Sequence, residues 1–372
     1  KMSVEEGAED IFHFSLFHHD VDHVEWKISL VKTGVSGLPV YHVSSPSHAE
    51  EYYVKLYVFP QATDAFHADL FASYAVDRIT DRTYFDTSAP ILSRKCLVSD
   101  TDIFYASMSK KAEGRSVKAM ITDLITTPDS KDLQSKLQES IFHAARAVGE
   151  FHGKSLEIAG TRPGRLLLLS EDNVENVLQQ VMGPHLPEAI VKAIAAQLEE
   201  LYQKATESLS KDETVVPSNG CFSHFDLTSS NVLVDESTSK VTFLDSPLMY
   251  RSFSFAPFAI KCETESFLAN PLIPMVGISH PALDYYFFST YIGLELQSMG
   301  QEYLKTLDRS VQDGYCAGRF ATDETALIIC KSAKQLWTPE VETFMLQYLV
   351  SVMSPDTIAR AITESVKGMP QQ

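Results

Sequence analysis

One short segment in the second half of the chain constrains the fold more than any other feature of the sequence. It reads His224-x-Asp226-x4-Asn231 and is followed at once by an apolar run. A second apolar run comes soon afterwards and ends on the carboxylate of Asp245. Apolar, β-branched runs bounded by turn residues are typical of strands. The segment therefore predicts two short β-strands around a polar loop.

The oxygen-bearing side chains of this segment suit phosphoryl transfer. That reaction requires a carboxylate that orients the attacking hydroxyl and accepts its proton, a role that fits Asp226. It also requires oxygen ligands that hold Mg²⁺ against the phosphates, and Asn231 and Asp245 offer an amide oxygen and a carboxylate. The alternative interpretation is a polar hairpin turn in which Asp226 and Asn231 only cap backbone groups.

The first part of the chain predicts a small antiparallel sheet. Short β-type runs at 28–31, 40–43 and 52–58 follow one another with turn residues between them. Apolar residues at helical spacing then predict a helix over 64–80. The residues from 90 to 108 offer two further strand candidates, 90–98 and 103–108, so we expect five strands and one helix.

Two features of this predicted sheet fit nucleotide binding. Gly34 and Gly37 lie in the turn between the first two strands, where backbone without Cβ atoms can approach phosphates. Lys55 lies in the middle of the third strand, where a half-buried lysine is costly unless it is paired. We predict that Lys55 holds the α- and β-phosphates and pairs with an acid on the following helix. The alternatives are an ordinary hairpin turn and an edge lysine that faces solvent.

Helical patterns dominate after Gly114. Apolar residues recur every three to four positions over 131–152 and over 187–208, which predicts two long amphipathic helices. The chain from about Pro281 onward is again mostly helical in pattern. The predicted fold class is α+β and two-lobed, with a small antiparallel β-sheet N-lobe and a mainly helical C-lobe. The predicted parts are an N-terminal extension at 1–25, the N-lobe at 26–112, and the C-lobe at 113–372 with its catalytic loop at 222–245.

The order of these features resembles the protein-kinase-like fold, and within it the aminoglycoside phosphotransferase and choline kinase family of small-molecule kinases. The segments 33–41, 147–153 and 224–234 carry the resemblance, which spans roughly residues 26–291. It implies that ATP and Mg²⁺ bind between the lobes and that the γ-phosphate passes to a hydroxyl of an amino-alcohol, an aminoglycoside or a sugar-like molecule. It implies cofactor-binding roles for Gly34, Ser36, Gly37, Lys55 and Asp69.

The chain departs from protein kinases in ways that disfavour a protein substrate. Phe225 replaces their usual arginine, and Asp245 is followed by Ser-Pro rather than Phe-Gly. The helix after Lys55 lacks the usual glutamate, and we choose Asp69 as its replacement over Asp64 and Asp77. Two alternatives stay open: a pseudokinase scaffold that senses nucleotide, and a kinase-like enzyme that modifies proteins.

Several residues are expected to support the site. We expect His224 to hold the loop by a hydrogen bond rather than to act as a base, and His152 to pack beneath it. Asp284 resembles the family's acid that begins a large-lobe helix and braces the catalytic loop, although an ordinary acid at a helix N-terminus fits equally well. Residues 108–112 are expected to form the connector between the lobes, whose backbone meets the adenine.

The acceptor pocket is predicted from aromatic residues. The segment 247–279, rich in Phe and Pro, forms either a wall of the pocket or a packed surface loop. Four further aromatic residues form either a cage for a quaternary amine or part of the core: Tyr285, Tyr286, Tyr291 and Trp337.

Composition restricts the partners and the compartment. The net charge of −18 argues against nucleic acid as the main ligand and favours a cationic acceptor. The five cysteines are scattered without a Cys-x-x-Cys pair, which indicates a reducing compartment. No apolar run reaches the length of about 18 residues that a membrane helix needs, and no secretory leader is evident. We expect a cytoplasmic protein without a membrane partner.

Overall fold

The computed structural model describes most of the two predicted lobes and less of the chain ends. The longer described stretches are 27–33, 39–46, 48–58, 81–88, 92–97, 103–159, 186–210, 227–244 and 282–319, with single residues and short pieces elsewhere.

The described elements are mostly strands up to Ser116, and the longer elements after it are helices. The first part contains β1 (Lys27–Thr33), β2 (Pro39–Ser45), β3 (His48–Val58), β4 (Phe85–Thr87), β5 (Leu92–Leu97), β6 (Ile103–Lys110) and β7 (Arg115–Ser116). The second part contains α1 (Val117–Thr126), α2 (Lys131–Ala159), β8 (Pro163–Gly164), α3 (Glu188–Ser210), β9 (Ser218–Asn219), β10 (Cys221–Phe222), β11 (Val232–Asp235), β12 (Lys240–Phe243), β13 (Ile278–Ser279), α4 (Ala282–Glu295), a 3₁₀ turn (Gln297–Met299) and α5 (Gln301–Gly318).

The small lobe is a five-stranded antiparallel sheet in the order β1-β2-β3-β6-β5. Tyr52, Val54 and Leu56 alternate along β3 and are buried on one face, as the two-residue period of a strand requires. They pack with residues of β2 and β6 into a core of their own: Tyr41, Val43, Tyr52, Val54, Leu56, Ala106 and Met108. The predicted five-stranded sheet is confirmed.

The large lobe is built around α2, which is buried on nearly all sides between Ala144 and His152. Helix α5 crosses α2 so closely that glycines are needed at the contact. A Cβ atom added at Gly149 would overlap the carbonyl oxygen of Tyr315, and one added at Gly318 would overlap that of Arg146. The two backbones therefore touch, which brings side chains of α5 next to the buried middle of α2. A separate core surrounds these helices, and the α+β, two-lobed prediction is confirmed.

A stretch between the strands of the small lobe belongs to the core of the large lobe. Ile79 and Phe85 are 3% and 0% exposed and pack with the large-lobe helices. Strand β4, which begins at Phe85, pairs in parallel with β12. Glu150 of α2 is buried, and its carboxylate accepts hydrogen bonds from the backbone N–H groups of Thr83 and Tyr84 at 2.8 Å and 2.6 Å. Ile79 and residues 81–88 thus pack as part of the large lobe, although they lie between β3 and β5 in the chain.

The described part of the proposed aromatic cage belongs to the core. Tyr285 is buried, and its ring meets that of Tyr315 edge-on with centroids 5.2 Å apart. Tyr291 is half-buried and packs against the large core. The side chains of Tyr286 and Trp337, like the segment 247–277, lie outside the described residues. Among the helices that are described, none combines the length and apolar character needed to cross a membrane.

Candidate active site

The two strands predicted around the polar loop form the β11–β12 hairpin. Val232 pairs with Phe243, so the residues just outside this pair, Asn231 and Leu244, lie side by side. The backbone N–H of Leu244 donates to the carbonyl oxygen of Asn231 at 2.8 Å. The hairpin thus places Leu244, the residue directly before Asp245, next to Asn231.

The ring of His224 ties the start of the loop to the end of the hairpin. Its Nε2 atom lies 2.9 Å from the carbonyl oxygen of Leu244, which can only accept, so Nε2 carries the proton. The ring is 1% exposed and lies edge-on to Phe243. The expectation that His224 supports the loop by a hydrogen bond is therefore confirmed. We call residues 224–231 the 224–231 loop from here on.

A buried carboxylate braces the same loop from below. Asp284, in the first turn of α4, accepts the backbone N–H of His224 at 2.6 Å. Its Oδ2 atom also lies 3.1 Å from Nε2 of His152, and Nδ1 of His152 lies 2.9 Å from the hydroxyl of Tyr315. Asp284, His152 and Tyr315 are each 0% exposed. Asp284 is therefore the brace that was expected, and His152 packs beneath the loop as expected.

The protonation state of His152 follows from its burial. Removal from water lowers the pKa of this imidazole, and the nearby positive charge of Arg319 lowers it further, while the hydrogen bond and charge of Asp284 oppose the shift. The neutral ring then donates from Nε2 to Asp284 and accepts at Nδ1 from Tyr315. Hydrogen bonds thus link α5, α2, α4 and the 224–231 loop, and they meet at Asp284, which accepts from both His152 and the backbone of His224.

This arrangement predicts a loss of stability on mild acidification. In the unfolded chain, His152 takes up a proton below its ordinary pKa of about 6.5. In the folded protein its lowered pKa keeps it neutral at the same pH. The free energy of unfolding therefore falls as pH falls. The contribution approaches about 1.4 kcal/mol per pH unit. Urea unfolding between pH 7.5 and 5.5 measures this contribution. The free energy of unfolding should decline more steeply in wild type than in His152→Gln. Equal slopes in wild type and His152→Gln would contradict the prediction.

Lys55 lies in the middle of β3, as predicted. It pairs with Val40 of β2 and Ser107 of β6. Because its neighbours Val54 and Leu56 face the small-lobe core, its side chain leaves the sheet on the opposite face. Its Nζ atom lies 5.4 Å from the centre of the Tyr57 ring on the same face. Tyr53, two residues before Lys55, also lies on this face and is half-buried. The face therefore offers a cation with an aromatic ring on either side of it along the strand.

The chain that joins the lobes connects this sheet to the β11–β12 hairpin. Lys111 follows β6 and is tied to Glu51 of β3 by a backbone hydrogen bond of 2.8 Å and an ion pair of 2.7 Å. Gly114 then adopts φ +107°, and a Cβ atom here would lie 2.8 Å from the backbone of Val234. Strand β7 pairs with β11, with Ser116 opposite Leu233. The connector thus ends directly beside the strand that follows Asn231.

Of the predicted site residues, Lys55 and Asn231 belong to the described structure. The others lie outside the described residues: Gly34, Ser36, Gly37, Asp69, Asp226 and Asp245. Within the described stretches, no three His, Cys, Asp or Glu side chains converge as a metal site. Asn231 and Asp245 carry the oxygen donor types that Mg²⁺ prefers, and Leu244, the residue before Asp245, is bonded to the backbone of Asn231.

Sequence reasoning missed several residues around the site. Tyr315 was not considered because it lies on a distant amphipathic helix without any polar motif. Glu150 could have been found from the sequence, since it is an acid within the otherwise apolar run 147–151 and a buried acid must find hydrogen-bond donors. Tyr53 could have been found from its spacing, because residues two apart on a strand share a face.

Comparisons with known proteins give structural similarity only. Neither the family models nor the curated proteins include a match to this chain. Among solved structures, an aminoglycoside phosphotransferase from Streptomyces rimosus is similar at 14% identity and a TM-score of 0.44, over 89% of this chain and 99% of that one. A microcompartment-associated aminopropanol kinase is similar at 15% identity and a TM-score of 0.43, over 96% and 98% of the two chains. A glucosamine kinase is similar at 11% identity and a TM-score of 0.40, over 95% and 97%.

Proposed function

We propose that this chain is an ATP- and Mg²⁺-dependent phosphotransferase that moves the γ-phosphate to a hydroxyl of a small molecule. The observation that carries the proposal is the bracing of the loop that contains Asp226. Asp284 and Leu244 hold His224 at one end of the loop, and Leu244 also bonds to Asn231 at the other end. A rigid support of this kind suits a reaction that depends on holding its groups in line.

The 224–231 loop and the residue after the hairpin supply the chemistry in this proposal. Asp226 orients the acceptor hydroxyl and takes its proton during transfer. Asn231 and Asp245 hold Mg²⁺, and the bound ion would neutralise the charge of the phosphate oxygens. His224 and Asp284 keep these groups in place.

The face of the small sheet that carries Lys55 binds the nucleotide in this proposal. The ammonium group of Lys55 holds the α- and β-phosphates, and Asp69 pairs with it from the following helix. The backbone of the turn at Gly34, Ser36 and Gly37 covers the phosphates. Tyr53 lies on the Lys55 face toward the connector, where its ring can stack on the purine.

The charge of the chain favours a cationic acceptor. With a net charge of −18, the protein attracts amino-alcohols and aminoglycosides by long-range steering more strongly than it attracts neutral sugars. We therefore place amino-alcohols and aminoglycosides first among the acceptors and sugar-like molecules second. This order is testable by the salt dependence of the rate, because screening weakens steering.

The proposed function is tested by ADP release from Mg·ATP in the presence of pooled amino-alcohols, aminoglycosides and sugars. Stimulation by one pool supports the proposal and begins to identify the acceptor. Mg²⁺-dependent ATP binding without stimulation by any pool, or by protein acceptors, would instead favour a nucleotide-sensing pseudokinase. Labelling of a protein band from γ-labelled or α-labelled ATP would favour a protein-modifying enzyme.

Replacing Lys55 with methionine should weaken Mg·ATP binding by about 10- to 100-fold. A charge-assisted hydrogen bond to a phosphate contributes about 1.5–3 kcal/mol, and methionine keeps the length of the side chain without its charge. Calorimetric titration with Mg·AMP-PNP measures the change. Lys110→Met is the matched control, because Lys110 lies in the same sheet but pairs with Glu50 at the exposed surface. Equal affinities of Lys55→Met and wild type would remove Lys55 from the nucleotide site.

A further inference from the structure

A buried serine lies inside the 224–231 loop. Ser229 is 2% exposed, and it stands between the positions of the proposed base Asp226 and the proposed metal ligand Asn231. Its hydroxyl donates to Oε2 of Glu295 at 2.7 Å. Glu295 is the last residue of α4, the same helix whose first turn contributes Asp284. Helix α4 therefore holds the loop at two points, one from each end of the helix.

The second oxygen of Glu295 is bound as well. Oε1 accepts from Nζ of Lys118 at 2.8 Å, and the backbone N–H of Lys118 donates to the carbonyl oxygen of Ser229 at 2.9 Å. Lys118 is in the first turn of α1, where backbone N–H groups have no partner inside the helix. Ser229, Glu295 and Lys118 thus form a closed ring of three hydrogen bonds.

This ring connects the loop to the lobe connector. Helix α1 begins at Val117, directly after β7 and Gly114, so Lys118 lies at the point where the connector enters the large lobe. The turn inside the loop is tight, because the N–H of Asn231 donates to the carbonyl oxygen of Thr228 at 3.0 Å. A displacement of Ser229 would therefore be passed on to Asn231.

We propose that Glu295 is a positioning residue that holds the 224–231 loop against the start of α1 through Ser229 and Lys118. The inference rests on the proposed function, since what the ring positions is the segment between Asp226 and Asn231. The carboxylate of Glu295 is 24% exposed, and it bonds both the buried hydroxyl of Ser229 and the ammonium group of Lys118. Hydrogen bonds to charged groups contribute more to stability than hydrogen bonds between neutral groups. The bond between Ser229 and Glu295 is therefore a strong restraint on the loop.

The structural part of the inference is tested without any reaction. Hydrogen exchange should be faster at the amides of Lys118 and Asn231 in Glu295→Gln and in Ser229→Ala than in wild type, by about 10-fold. The amides of α3 provide an internal reference that should not change. Combining the two substitutions should add little to either one, because both act on the bond between Ser229 and Glu295, which glutamine weakens and alanine removes. Unchanged exchange at Lys118 and Asn231 would overturn the inference.

The functional part is tested by comparing turnover with nucleotide affinity. In Glu295→Gln, ADP release at saturating Mg·ATP and a stimulating acceptor pool should fall about 10-fold, while the Kd for Mg·AMP-PNP stays within about twofold. Glu302→Gln is the control, since Glu302 pairs with Lys305 on the exposed side of α5. A purely structural role would lower thermal stability and leave the rate at 20 °C unchanged, and that outcome would overturn the inference. If wild type itself releases no ADP with any acceptor pool, the proposed function fails, and the exchange experiment still decides whether Glu295 holds the loop.

Discussion

Replacing Asp226 with alanine should lower turnover by about 10²- to 10⁴-fold while leaving the Kd for Mg·AMP-PNP nearly unchanged. The expected loss is that of a positioned general base, which takes the proton of the acceptor hydroxyl as the new bond forms. Nucleotide affinity should persist, because the residues proposed to hold the phosphates and Mg²⁺ are Lys55, Asn231 and Asp245. ADP release and calorimetric titration together measure both quantities.

Two further variants make this result specific. Asp226→Asn keeps the shape of the side chain and removes its basicity, so it should lose nearly as much activity as the alanine variant. Asp313→Ala removes an exposed acid from α5 and should retain wild-type turnover. Turnover of Asp226→Ala close to wild type would remove Asp226 from its proposed role and favour the capping interpretation.

Replacing Asp284 with alanine should lower the free energy of unfolding by about 3–5 kcal/mol. The carboxylate accepts from the backbone of His224 and from the ring of His152, and both donors are buried. Its loss leaves two buried donors without an acceptor, and each such group costs about 1–3 kcal/mol. Urea unfolding followed by circular dichroism measures the change.

The size of this effect distinguishes a buried brace from an ordinary acid at a helix start. Asp132→Ala is the matched control, since Asp132 is also in the first turn of a helix and pairs with Lys136 at the surface. It should cost less than about 1 kcal/mol. Asp284→Asn retains an oxygen that can accept from His224 and should fall between the two. If Asp284→Ala costs no more than Asp132→Ala, the brace contributes little to stability.

The strands and long helices could be predicted from the sequence because their patterns are local. Alternation along residues 52–58 predicted β3 and the half-buried position of Lys55. Spacing over 131–152 and 187–208 predicted α2 and α3, although α2 continues to Ala159. The hairpin followed from two short apolar runs around a polar turn. In each case the deciding residues are close together in the chain.

The contacts that hold the site could not be predicted in the same way. Ser229 and Glu295 are 66 positions apart, and His152 and Tyr315 are 163 positions apart. Nothing in the sequence near Ser229 indicates a buried hydroxyl, and Tyr315 looks like any aromatic residue on an amphipathic helix. Only the crossing of α2 and α5 at their glycines brings Tyr315 to His152. Such contacts depend on the packing of helices rather than on local preference.

The insertion of residues 79–88 into the core of the large lobe has a consequence for folding during synthesis. Strand β4 leaves the ribosome between strands of the small sheet, but its partner β12 follows much later, since Asp86 and Lys240 are 154 positions apart. Until β12 emerges, β4 lacks its parallel partner strand, and Phe85 lacks the ring of Phe243 that stacks on it. The strands of the small sheet all precede Lys111, so they can pair with one another before then. The packing of Ile79 and Phe85 into the large lobe therefore waits for β12, whereas the pairing of the small sheet does not depend on it.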